Sequence, residues 1–176
     1  MKYLRRLVWY IATRLLVFTC VLGLATIAFY FSMNAANIYI ILKDGMAQRA
    51  MTVMMDADPR LLKNYFSSSY IERDNMLASI RNDANPYARY QVTGIDHRLY
   101  MEWMWCWPWE DTAQATFVET IPAIDGRILS EYREITPKDQ LAVPRWDSAR
   151  YDVVLTRENG QWHIKNMTYK GAYQAD

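Results

Sequence analysis

No charged residue occurs between Leu15 and Leu42, a run of 28 residues, and its first seventeen positions read LLVFTCVLGLATIAFYF. At 1.5 Å per residue, a helix over those seventeen positions spans roughly 26 Å, and a few flanking residues bring it to the ~30 Å of a bilayer's hydrocarbon core. The spacing predicts a transmembrane helix over 15–35, preceded by a basic N-terminus over 1–14. A cleaved signal peptide shares the basic start and apolar stretch. The long basic region, the length of the apolar run and the poor cleavage site at Asn34-Ala35-Ala36 favour a retained signal-anchor. Lys2, Arg5, Arg6 and Arg14 lie on the N-terminal side, so the positive-inside rule puts the N-terminus in the cytoplasm and residues 44–176 outside it. Tyr3, Trp9 and Tyr10 on one flank, with Tyr30 and Tyr39 on the other, suit the two membrane interfaces. Thr19 with Gly23 and Ala28 with Ser32 are small-xxx-small pairs through which two such helices could associate.

The chain beyond the span is long enough for one domain. The protein has 176 residues, 52% of them hydrophobic and 22% charged, with six Gly and six Pro, which excludes disordered and collagen-like classes. Five of its 20 basic residues precede Asp44, the first acid, so residues 44–176 carry 15 basic against 19 acidic groups and present no case for nucleic acid. Cys20 lies in the span and Cys106 in the domain, so no disulfide is expected inside the domain.

Ile38, Ile41, Leu42, Met46, Arg49, Ala50 and Val53 recur at helical spacing, which predicts that the membrane helix continues over 36–57 as an amphipathic helix. A domain over 58–176 then opens with short helices. Asp58-Pro59 caps the first, with the serines at 67–69 ending it, and Asp74 starts the next, which Asn85-Pro86 terminates. The remainder reads as strands: 89–107, then 112–124 and 127–135 around Asp125-Gly126, then 149–157 and 162–169 around Asn159-Gly160. A two-residue turn at Asn159-Gly160 sets Leu155 opposite Ile164 and Arg157 opposite Trp162, while 136–148, with Pro137 and Pro144, connects the last two hairpins.

Helices followed by long antiparallel strands and closed by YDVVLTRENGQWHIKNMTY resemble the nuclear transport factor 2-like superfamily over residues 44–172. The resemblance implies an α+β fold in which helices pack on a strongly curved antiparallel sheet, a cone that is closed, holds a ligand or catalyses. With a single N-terminal span, the layout is also similar to the inner-membrane scaffold subunit of bacterial type IV secretion systems, and it implies other envelope proteins as partners.

Trp103, Trp105, Trp107 and Trp109 alternate within YMEWMWCWPWED, so in a regular strand they project from one face together with Leu99 and Met101. They could form a binding surface, since Trp combines large apolar area with an N–H donor. Packing inside a curved sheet is the favoured expectation, with Trp103 and Trp105 lining its interior and Trp107 and Trp109 exposed at the strand end. Trp107, Trp109, Arg145 and Trp146 are the candidate partner-facing residues.

His97 and His163 are the only histidines, and neither has a partner at metal-ligand spacing, so no metal or cofactor is expected. By resemblance, an enzyme such as ketosteroid isomerase or scytalone dehydratase would want an Asp or His base beside a Tyr in the cone. Tyr70, Asp96, His97, Asp152 and His163 have those residue types, with Tyr70 and His97 the pocket-lining candidates. Asn166-Met167-Thr168 is an N-glycosylation triplet, meaningful only in a eukaryotic lumen. The expectation is a non-catalytic, membrane-anchored scaffold or interaction subunit of an envelope complex. Its alternative is a tethered binding module for an apolar, lipid or saccharide ligand.

Overall fold

A computed structural model describes residues 2–173. Lys2–Met55 form one α-helix, α1, of 54 residues, about 80 Å long at the standard rise. Its two halves live in different surroundings. Side chains from Tyr3 to Met33 are largely exposed, and this stretch is long and apolar enough to cross a membrane. From Asn34 onward the helix buries a stripe: Ile38, Leu42, Met46 and Ala50, four residues apart, are all fully buried. That spacing keeps one face toward the domain, and Gly45, Arg49 and Val53 widen it. The helix ends where Asp56 turns to a positive φ of 54° and Ala57 N–H donates to Met51 O.

A 3-10 segment, Pro59–Asn64, follows in place of an α-helix, with the Asp58 carboxylate accepting from Arg60 N–H. The serines do not end it. Ser67 instead caps α2, Ser68–Arg73, and Asp74 caps α3, Asn75–Arg81, accepting from Met76 and Leu77 N–H. Between the 3-10 segment and α2, Phe66 makes a parallel bridge to Ile164, held by Ile164 N–H to Tyr65 O (2.7 Å) and Ser67 N–H to Ile164 O (2.9 Å).

Six strands follow: β1 (Tyr90–Ile95), β2 (Arg98–Cys106), β3 (Thr112–Thr120), β4 (Ile124–Ile128), β5 (Ala149–Glu158) and β6 (Gln161–Ala172). They form two antiparallel sheets, β1-β4 and β2-β3-β5-β6, neither strongly curled, so the fold is α+β with α1 packed across the larger sheet. The β5–β6 register is the one its turn dictates. Asn159 and Gly160 have φ of 52° and 82°, and Leu155 faces Ile164 as Arg157 faces Trp162. Asp125-Gly126, in contrast, is not a turn. It lies inside β4, opposite Val92 and Gly94 of β1, where a Cβ on Gly126 would stand 2.8 Å from Gln91 O. The core lies between α1 and the larger sheet, with Phe66, Phe117, Leu155 and Ile164 among its fully buried side chains.

Candidate functional site

The tryptophan stripe faces outward, and one residue is responsible. Leu99 and Met101 point into the core opposite Glu119 and Phe117, but Trp103, not Glu102, pairs next, with Thr116. Glu102 is therefore the extra residue of a β-bulge, and each later side chain changes face. Met104 and Cys106 turn inward against Ala115 and Ala113, while Trp103 and Trp105 stand 50% and 49% exposed on the outer face. Core packing of Trp103 and Trp105 is thus overturned: they do not line the interior. The carboxylate of Glu102, thrown outward by the bulge, accepts two hydrogen bonds from Arg150 (2.8 and 3.1 Å).

Below the bulge the aromatic rings are continuous. Trp105 stacks on Trp107 at 5.9 Å between centroids, and Trp107 meets Trp109 edge-on at 5.1 Å. This end of β2 reaches α1. The Phe31 ring is 6.0 Å from that of Trp105, Asn34 Nδ2 donates to Pro108 O (3.5 Å), and Arg157 donates to Asn34 Oδ1 (2.8 Å). Arg157 is held in turn over the buried Trp162 ring, 4.5 Å from its centroid.

On the inner side a chain of polar groups runs between α1 and the sheet. Arg49 of α1 donates from Nε to Asp74 Oδ2 (2.7 Å) and from a terminal nitrogen to Oδ1 (3.3 Å), with both residues buried. Tyr70 donates to the same Oδ2 (2.7 Å), and Asp74 also caps α3, so this carboxylate joins α1, α2 and α3. Burial alone would lower the Arg49 pKa, but the neighbouring Asp74, with Tyr70 and Glu119, outweighs it and raises the value above normal. Burial pulls Asp74 toward the neutral acid, and the Arg49 guanidinium more than reverses this, holding its pKa below the ordinary range. Tyr70 is pushed up by burial, which keeps its proton on the phenol as donor.

Arg49 also lies against the Trp146 ring, 5.7 Å from the centroid, and Trp146 Nε1 donates to Glu119 Oε2 (3.3 Å). The other oxygen of Glu119, which is wholly buried, faces His97 Nε2 at 3.1 Å. Trp146 is thereby a core residue, which corrects its expected place on a partner-facing surface, whereas the adjacent Arg145 is exposed.

The remaining candidates do not converge. Asp96 pairs with the exposed Arg98 at 2.6 Å, Asp152 with Thr116 and Lys170, and His163 Nδ1 lies 3.2 Å from the backbone oxygen of its neighbour Gln161. Tyr70 does border a cavity of about 230 Å³ shared with Arg49, Asp74, Tyr151 and Met167. Tyr151 beside it is pushed up to about 12, by burial and then by Glu119. Sequence spacing does not mark Arg49 or Glu119 as site residues. A signal for Arg49 is nonetheless present in its place on an apolar helical stripe, since a charge on a buried stripe needs a buried partner. No family model and no curated protein matches this chain.

Proposed function

We propose that the chain is a membrane-anchored, extracytoplasmic scaffold or interaction subunit of an envelope-associated complex, without catalytic activity. One observation carries the reading: the segment fit to cross a membrane and the helix at the centre of the domain's core are the same unbroken helix. Removing residues before Asn34 would spare the core, but no hinge separates the two halves, as suits a subunit that holds its domain at a set height and angle. The basic flank at Lys2, Arg5, Arg6 and Arg14 supports a cytoplasmic N-terminus.

The titratable groups support a structural role. Asp74 accepts from Arg49, from the Tyr70 hydroxyl and from a helix N-terminus, and Glu119 accepts from Trp146 and faces His97 Nε2. Helices preceding antiparallel strands, with the closing Asn159-Gly160 hairpin, support the resemblance to nuclear transport factor 2-like domains. The surface offered to a protein partner is the outer sheet face around Tyr100 and Trp103, 59% and 50% exposed, bordered by the Glu102–Arg150 pair.

Cross-linking followed by purification in mild detergent should recover stoichiometric protein partners, and Tyr100→Ala with Trp103→Ala should reduce that recovery while the melting transition stays unchanged. Protease added outside intact cells should cut the domain. A monomeric chain that brings down no protein and carries a lipid or saccharide would favour the binding-module reading, for which the cavity beside Tyr70 and Arg49 is the candidate place. At about 230 Å³ it is smaller than the roughly 300–1,000 Å³ of most small-molecule sites.

A further inference from the structure

We infer that Trp105, Trp107 and Trp109 are a second membrane contact, seated in the interfacial layer of the bilayer that α1 crosses. The inference rests on the anchor reading above and concerns residues distinct from the proposed partner surface.

Depth along α1 decides the matter. Arg14 is the last charge before the apolar run, so the hydrocarbon core begins near Leu15. About 20 residues at 1.5 Å each fill ~30 Å, which places the far boundary near Asn34. Phe31 therefore lies a few ångströms inside that boundary, yet its ring meets Trp105 at 6.0 Å. Asn34, at the boundary itself, is bonded to Pro108 O and to Arg157, so the Trp107-Pro108-Trp109 corner is held at the same level. Those tethers leave the corner no route to a higher position without breaking them.

The chemistry suits that depth. Indole rings concentrate at membrane interfaces because an apolar body and an N–H donor can each find its own medium there. Trp109 is 65% and Trp105 49% exposed, an arrangement costly in water and favourable among lipid headgroups and upper acyl chains. The neighbouring exposed Glu110 and Asp111 argue against recognition of anionic lipid, so the occupant is zwitterionic phospholipid. The helix and the aromatic corner together give two points of attachment, which fixes how the domain leans on the membrane.

The test uses the full chain carrying Trp9→Phe and Trp103→Phe, reconstituted in phosphatidylcholine vesicles with bromine on acyl carbons near the headgroup. Trp9 on the opposite flank and the exposed Trp103 are thereby silenced, and Trp146 and Trp162 are buried in the domain, so bromine quenching in this variant reports the corner. The expected result is a marked loss of tryptophan emission relative to unbrominated vesicles, larger for shallow than for deep bromine positions, and little added loss with aqueous acrylamide. Adding Trp105→Phe, Trp107→Phe and Trp109→Phe should abolish the bromine effect. Emission unchanged by bromine but quenched by acrylamide overturns the proposal, and so does protection from both quenchers, the signature of a protein occupant. Resistance of the wild-type chain to carbonate extraction, together with bromine quenching that persists in the corner triple variant when Trp9 is restored, tests the anchor by itself. Chains released by carbonate would overturn both readings.

Discussion

Arg49 on α1 and Asp74 at the start of α3 form a buried ion pair, 2.7 Å from Nε to Oδ2, and the same carboxylate takes the Tyr70 hydroxyl of α2 and the first N–H groups of α3. Its position explains why two short helices that could not persist alone are held against α1.

Removing one partner leaves the other charge buried and uncompensated, so Asp74→Asn or Arg49→Met alone should cost about 3–5 kcal/mol. The double variant should recover part of that loss, and the coupling in a double-mutant cycle from denaturant unfolding measures the pair.

The same pair sets an acid limit. Because the folded-state pKa of Asp74 is depressed, its contribution is fully present above the unfolded value of about 4 and is lost as pH falls through the folded value. Stability should therefore drop below about pH 4 with a slope that Asp74→Asn reduces. An unchanged acid slope in that variant would show that the pair does not govern the limit.

The bulge at Glu102 makes a sharper structural prediction. Deleting Glu102 removes the extra residue and leaves Met101 opposite Phe117 and Trp103 opposite Thr116 in a regular ladder, so Trp103 and Trp105 should stay outward and Met104 and Cys106 inward. The deletion should therefore still fold, losing the local bend of the bulge and the half-exposed pair to Arg150, whereas Glu102→Ala keeps the bulge and loses only that pair, about 0–1 kcal/mol. Thiol titration reads this directly: Cys106, fully buried with its thiol pKa raised by burial, should resist a thiol reagent in the wild type, in Glu102→Ala and in the deletion, and a thiol that reacts in the deletion would show that Glu102 is not the extra residue.

That bulge also shows where sequence reading stops. The Asn159-Gly160 register is legible because the turn needs two positive φ values and few residue pairs supply them. Asp125-Gly126 carries the same chemistry but serves a different need, since Gly126 lets β1 and β4 backbones approach. The alternating tryptophans point to a correct strand and the wrong face, because an inserted residue leaves no mark in an alternating pattern until its partners are known. Asp74 is visible as a cap from its spacing, yet its buried partner 25 residues earlier emerges only from packing. Trp146, a surface anchor by residue type, is drawn inside by Arg49 and Glu119, neither of which is near it in sequence.

Glu119 should be the costliest single polar residue of the sheet. Glu119→Ala strips the partner from Trp146 Nε1 and from His97 Nε2 and opens a cavity, and each unsatisfied buried group costs about 1–3 kcal/mol. Urea unfolding should show a loss of a few kcal/mol, while Glu119→Gln, which keeps an acceptor oxygen and an amide in the same volume, should lose less.

Gly45 tests whether α1 and the domain share one packing surface. In the middle of a helix, replacing Gly by Ala ordinarily stabilises by about 1 kcal/mol. Here a Cβ would stand 2.9 Å from Tyr65 Cβ and 3.4 Å from Ile164 Cδ1, and Tyr65 is pinned by its carbonyl's bond to Ile164 N–H. The atom in the way is the stiff root of a side chain, so the helix itself must shift, and overpacking of this kind costs about 1–3 kcal/mol. The two effects oppose each other, and the clash should win. Gly45→Ala is expected to lower the melting temperature of the domain, and Gly45→Leu to lower it much further. Gly23→Ala, on the same helix where a Cβ meets nothing within 4 Å, should leave it unchanged. A stabilised Gly45→Ala would mean that α1 does not lie this close to Tyr65.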